Sequence, residues 1–567
     1  MTLTAVDWAV ILAYFAVSLG LGVVFARRAG ASSAEYFLGG RAMPWWLAGT
    51  SMVATTFAAD TPLAVTGLTV KYGIAGNWLW WSFVMSGMLT VVFYARLWRR
   101  AGVMTDAEFA ELRYAGRPAA FLRAFRACYL GLAVNSIIIG WVTAAMAKIL
   151  ALTLGVHKGQ AIVALFALTG LYSTLAGLWG VVVTDFFQFV LAMTGCIALA
   201  VFALGARFPD GAPLSLVPDL DSAWMPALAF FVYLAVNWWA SWYPGAEPGG
   251  GGYVAQRILA TKDERHALLA ALWFNIAHYA LRPWPWILVA LVSMVLYPGL
   301  DDPEAGYVRV MVDHLPPVWR GFLLAAFFAA YMSTISTQLN WGASYLVNDV
   351  YRRFWAPART ETHYAGAGRL ATLGIMGVAG VATLWIGSVE GAWKFLLALG
   401  AGTGPVYLLR WYWWRVNAWS EVSAMAAALV FSLGAQWGLG LSSDDPRGFA
   451  LLLLWTTGAT TAVWLAVTYL TAAEPRATLV AFAARVRPGG PGWRAVAPDA
   501  GGGQGIAAGL VLWALGCVVV YLGLFGIGGL VLGRPARGAA ALAAAAVLTW
   551  YLVRATRPGA RAEGRVV

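Results

Sequence analysis

Charge is scarce in these 567 residues: Asp, Glu, Lys and Arg together make up 11%, against about a quarter in an ordinary soluble domain. Nowhere is there a polar stretch long enough for a large soluble domain. Only three cysteines are present, Cys128, Cys196 and Cys517. They lie in apolar segments without paired spacing, which excludes a disulfide framework or a thiolate metal site and leaves them as packing residues. The five histidines, His157, His266, His278, His314 and His363, form no metal-ligand spacing, which disfavours a metal-dependent membrane enzyme. What fills the chain instead is apolar: 61% of it is hydrophobic. Spanning about 30 Å of hydrocarbon takes about 20 apolar residues per helix, and such runs recur from one end to the other. The expectation is an all-α polytopic membrane protein.

Candidate transmembrane segments fall near 7–27, 44–73, 75–98, 127–155, 159–178, 181–206, 225–245, 267–298, 318–348, 366–387, 390–414, 418–440, 448–472, 503–532 and 538–554, about fifteen in all. The first has no basic region ahead of it and no small-residue cleavage site behind it, so it reads as a retained helix and not a signal peptide. The 38 basic residues outnumber the 26 acidic ones. In a soluble chain that excess would hint at nucleic acid; here the Lys and Arg crowd the loops after odd-numbered segments, which is a topology signal. It places the N-terminus outside and the C-terminus in the cytoplasm, with the lipid bilayer as partner and no nucleic acid. TDAEFAELR, in the loop 99–126, reads as a short cytoplasmic helix capped by Thr105. The chain divides into a core, 1–472, a linker, 473–502, and two added helices with a tail, 503–567.

Polar residues interrupt this pattern in four places. The stretch GTSMVATTFAADTP, 49–62, puts Thr55, Thr56, Asp60, Thr61 and Pro62 near the middle of the second segment. A backbone break at that depth survives only where it lines a cavity or binds something. The seventh segment ends in NWWASWYPGAEPGGGGYVAQR, whose prolines and glycines rule out a continuous helix. These breaks lie five segments apart, as expected for two inverted repeats of five helices, about 44–206 and 225–414, each opening on a discontinuous helix. The ninth segment carries Ser333, Thr334, Ser336, Thr337, Gln338 and Asn340, too many hydroxyls and amides for a lipid face. A Ser-Thr pair with the Ala330 carbonyl one turn earlier offers the hard oxygens a cation such as sodium prefers, although such residues also glue membrane helices together. Finally, Thr184-Asp185 reads either as an N-cap facing the cytoplasm or as part of an ion path. At the breaks, Asp60 and Glu247, with Arg282 in the eighth segment, are costly in a membrane unless paired or functional. Two arrangements are open: a salt bridge from Arg282 that locks the bundle, or a carboxylate facing a cavity walled by Trp80, Trp81, Trp239 and Trp242. The second would suit a cationic or zwitterionic amine or a hydroxyl-rich ring.

The motifs YFLGGRAMPWWLAGTSMVAT, TLAGLWGVVVTDFFQ, AQRILATKDE and STISTQLN followed by NDVYRRF together resemble the sodium:solute symporter family, over roughly residues 5–472. The resemblance implies thirteen core helices, the inverted-repeat fold of the leucine transporter class, and no cofactor beyond Na+ as coupling ion. By position it implies sodium ligands at the carbonyls of Ala54, Phe57 and Ala330 and the hydroxyls of Ser333 and Thr334, with Asp185 on the sodium exit path. Two departures bear on the solute. Sugar-carrying members have an acidic residue where Trp80 stands, and the Gly-Gln-Pro motif of the proline-carrying branch is replaced by PGAEPGGGG. The expected function is a symporter in the membrane, most simply a bacterial inner membrane. It would import a small polar organic solute by alternating access, with Thr56, Asp60, Thr61, Trp80, Trp81, Trp239, Trp242, Glu247 and Arg282 as candidate solute contacts. The alternative is a transporter-like sensor, disfavoured because no long soluble segment follows residue 554; a channel is disfavoured by the paired broken helices.

Overall fold

The fold is known from a computed structural model that describes residues 3–29, 32–206, 214–240, 248–443, 445–498 and 505–556. Helices account for nearly all of it. Eleven of those described are long and apolar enough to cross a membrane, and the pair Val389–Gly400 and Gly404–Tyr412, bent by 48°, makes a possible twelfth. Besides 390–414, which is that bent pair, three more expected segments do not stand as single long helices. Segment 44–73 is split into Trp45–Thr56 and Asp60–Tyr72, and segment 159–178 runs on through a kink at Gly177 into Lys158–Ala206. Segment 225–245 appears as Ala227–Ala235 with a tight turn at Asn237–Trp239, and residues 241–247 lie outside the described chain.

Pro62 explains the first split. Inside a continuous helix it would lack the N–H for residue 58 and clash with that carbonyl; in the first turn of a new helix neither matters. The four carbonyls stranded at the end of Trp45–Thr56 all find donors. Those of Val53 and Ala54 accept from the Phe57 N–H at 2.9 and 3.1 Å, that of Thr55 from the Thr334 hydroxyl at 2.7 Å, and that of Thr56 from the Thr61 hydroxyl at 3.2 Å. Of the second expected break, the described part is Gly249 and Gly250, which take positive φ just ahead of the short buried helix Gly252–Ala260. That helix is tied back to the segment just ahead of Trp45–Thr56, where Met43 exchanges backbone hydrogen bonds with Ala260 and Lys262.

At one end of the bundle, arginines and carboxylates interlock. Arg123 joins Glu111 and Asp349 at 2.7 Å each, and Arg126 and Arg410 both meet Glu421 at 3.2 Å. Burial alone would raise Glu111, but Arg353 and Arg123 more than reverse it and hold its carboxyl below the usual range. The helix expected in TDAEFAELR begins only at Phe109, with Glu108 at its N-cap; Thr105 accepts from the Glu108 N–H at 3.0 Å in the turn before it and donates to Asp349. The segment expected as a plain linker contains a helix, Arg476–Val486, whose buried Phe482 stacks on Trp493, so it packs on the core instead of merely spanning to the next helix.

The added helices Ile506–Val531 and Pro535–Ala555 approach each other through Gly526 and Gly538, small residues that let helices close without a cavity. They also grip the core. Near Trp78–Trp81 the third segment is irregular: the Met85 N–H turns to the Ser82 carbonyl at 3.2 Å, and the Trp81 carbonyl accepts from the Tyr521 hydroxyl at 3.1 Å. Trp513 donates to the Met85 carbonyl at 2.8 Å and Trp284 to the Leu524 carbonyl at 2.9 Å. Tyr521→Phe is therefore expected to cost about 1 kcal/mol of stability, one polar contact in an apolar setting. Unfolding of the detergent-purified variant measures this; an unchanged midpoint would mean that this contact contributes nothing.

Candidate functional site

The polar face of Trp319–Ser344 meets the first helix break. The Thr334 hydroxyl lies 2.7 Å from the Thr55 carbonyl and 3.1 Å from the Ala330 carbonyl, and Thr55 and Thr337 share a hydroxyl contact at 3.1 Å. One turn away Ser333 donates to Asp185 at 2.6 Å, and the other oxygen of that carboxylate accepts from Ser51 at 2.5 Å. Asp185 is fully buried, inside a helix and eight residues past the kink, so the N-cap reading is wrong. A cap needs a helix start; this carboxylate is held between two helices.

Its cationic neighbour is one the sequence reading left out. Arg257, on Gly252–Ala260, is completely buried, with Nη2 3.8 Å from Asp185. It donates to Ser51 at 3.1 Å, to Thr337 at 2.7 Å and to the Gln256 side chain at 2.5 Å. AQRILATKDE reads from sequence only as one of the family motifs. The available signal was an arginine inside a run of apolar residues, where a topological charge has no reason to sit.

The other face of the same break borders a cavity. Thr56, Asp60, Thr61, Trp80 and Arg282, all expected as solute contacts, line it together with Phe83, Asn275, His278, Tyr279 and Trp393. Trp81 and Trp239 are not among the described lining residues. Trp80 stacks on Tyr279, while its neighbour Trp81 turns to Phe525 of the added helix, since adjacent residues on one helix cannot share a face. Trp239 packs on Trp238, and its carbonyl abuts Gly404, where any Cβ would collide. Trp242 and Glu247 lie outside the described residues.

Within the cavity wall the hydrogen bonds have fixed senses. Arg282 donates to the Val53 carbonyl at 3.4 Å, to Thr56 Oγ1 at 3.2 Å and to the His278 carbonyl at 3.2 Å, and its guanidinium lies over the Trp286 ring. A guanidinium only donates, so its 3.3 Å contact makes His278 Nε2 an acceptor. Nδ1 then carries the hydrogen and donates to Thr56 Oγ1 at 2.9 Å. Trp286 in turn stacks on Phe57 at the break. The Trp393 indole donates to Asp60 Oδ2 at 3.3 Å. The first break is thus joined on one side to the ninth segment and on the other to the cavity wall.

Comparison with known proteins agrees with this architecture. The chain is 23% identical over 471 residues to a sodium/glucose cotransporter of Vibrio parahaemolyticus, covering 76% of this chain and 85% of that protein. It is 25% identical over 508 residues to sodium/glucose cotransporter 1 of Oryctolagus cuniculus, covering 77% and 70%. Its fold matches that of a solved Na+-coupled sialic acid symporter with a TM-score of 0.68 at 20% identity, over 83% of this chain and 99% of that one. The profile of one family matches residues 36–212 and 219–430. With that match across most of its length, the chain belongs to the sodium:solute symporter family, a family of sodium-coupled transporters and not of enzymes.

Proposed function

We propose that the chain is a symporter that uses inward sodium flow to import a small polar organic solute by alternating access. The observation that carries this is that one helix break meets the polar face of the ninth segment on one side and a cavity on the other. The Thr334 hydroxyl reaches its Thr55 carbonyl, with Ser333 beside it on Asp185, and Thr56, Asp60 and Thr61 line the cavity. A cation held by the Ala54, Phe57 and Ala330 carbonyls with the two hydroxyls would set the position of Thr56, and through Thr56 that of His278 and Arg282. Each ligand then changes the affinity of the other by the same factor, which is the physical content of coupling. In this reading helices 2–6 and 7–11 are inverted repeats within a fifteen-helix chain, and Asp185 lies on the path by which sodium leaves. The N-terminus is outside, the C-terminus is cytoplasmic, and the setting is a bacterial inner membrane.

The test is uptake into proteoliposomes. An inward sodium gradient is expected to concentrate the solute severalfold above the level reached without one, and collapse of the gradient is expected to release it. Solute binding with no sodium-driven accumulation would instead support the sensor reading.

A further inference from the structure

Among the described residues, two acceptors in the cavity wall are buried without a donor. Asp60 is 2% exposed; its Oδ2 is met by Trp393, but Oδ1 has no hydrogen-bond partner among the described residues. Asn275 is 1% exposed, and its Nδ2 donates to the Ala271 carbonyl at 2.8 Å, which fixes the orientation of the amide and leaves Oδ1 as the second unpartnered acceptor. Asn275 Oδ1 lies where a Cβ on Gly87 would be, so the glycine makes room for it. Buried polar atoms are nearly always satisfied, and one that is not calls for a missing partner. Most donors of the Arg282 guanidinium already go to Val53, Thr56 and His278. The demand in this cavity is therefore for donors, not for an anion.

We infer that the solute carries a primary or secondary ammonium group, its N–H bonds going to Asp60 Oδ1 and Asn275 Oδ1 and its apolar body lying against Trp80, Phe274 and Tyr279. This rests on the symporter reading above and names the substrate class of that site. A neutral polyol could supply hydrogen bonds, but it would leave Asp60 with only the longer-range attraction of Arg282, whereas an ammonium sets a charge directly on the unpartnered carboxylate oxygen. Aromatic faces around the group add cation–π attraction. The ammonium could belong to a simple amine or to an amino acid, and the experiment separates the two.

The experiment measures sodium-dependent thermal stabilisation of the full-length purified protein, and counterflow in proteoliposomes, with probes of matched shape. Alanine, valine and phenylalanine are compared with ethylamine, isobutylamine and 2-phenylethylamine, which lack the carboxylate. They are also compared with lactate, 2-hydroxyisovalerate and 3-phenyllactate, which replace ammonium by hydroxyl, and with glucose. At least one ammonium probe is expected to bind about tenfold or more tightly than its hydroxyl counterpart. Asp60→Asn is expected to erase that preference, as is the milder Gly87→Ala, which displaces the Asn275 oxygen while leaving the carboxylate in place. Binding by amino acids but not amines assigns the ammonium to an amino acid, and the converse assigns it to a simple amine. Equal or tighter binding of a hydroxy acid or glucose overturns the proposal, as does binding of no ammonium probe at millimolar concentration. Ammonium probes that bind without sodium-driven flux would leave the class standing and defeat the symporter reading. Sodium-driven glucose flux would do the reverse.

Discussion

Arg257→Met is expected to destabilise the protein by about 3–5 kcal/mol, the usual cost of removing one partner from a buried charge pair. The side chain is completely buried beside Asp185, and three of its N–H groups hold Ser51, Thr337 and Gln256. Methionine fills much of the volume but supplies no donors, so a carboxylate and two hydroxyls lose a polar neighbour at once. The effect is read as a fall in the denaturation midpoint of detergent-purified protein. Asp185→Asn added to Arg257→Met is expected to recover part of the loss, since no charge is then stranded. A double variant showing simple additivity would mean that the two residues do not act as a pair.

Replacing both Ser333 and Thr334 with alanine is expected to weaken sodium binding by about 1–3 kcal/mol for each hydroxyl lost, or roughly five- to 150-fold apiece. Thr334 bears on the break directly, through the Thr55 carbonyl, and Ser333 bears on Asp185. Thr334→Ser keeps the hydroxyl and is expected to retain most of the affinity, which separates loss of a ligand from loss of packing. The measurement is the sodium concentration that gives half-maximal uptake or half-maximal thermal stabilisation. An unchanged value in the double alanine variant would place the ion elsewhere.

The two predictions rest on residues that were unequally visible in the sequence. Ser333 and Thr334 stood out because hydroxyls clustered in an apolar helix must face the protein interior. Asp60 and Arg282 stood out because ionisable groups are rare at that depth. Arg257 did not stand out, since it lies in a nine-residue helix that follows a glycine run and falls between the expected segments. Only tertiary packing carries that helix to the core, where Arg257 meets a carboxylate 72 positions earlier in the chain. Trp80 and Trp81 are chemically equivalent neighbours, and the packing of their short helix, Trp78–Trp81, decides which one reaches the cavity.

By itself the sequence determined the class of this protein: a scarcity of charge and a surplus of long apolar runs admit only a helical membrane protein, because in lipid each helix must satisfy its own backbone. It also determined where the second segment breaks, since Pro62 cannot be read through by a helix. Tertiary structure alone decided which polar groups share a site. Asp185 and Ser333 are 148 positions apart and their contact is set by how two helices pack, not by any local preference of either stretch. The same holds for the added helices. Rich in Gly, Ala, Leu and Val and nearly free of polar groups, they read from sequence as peripheral, but the Trp81 carbonyl, left over where the third segment departs from regular helix, draws Tyr521 against the core.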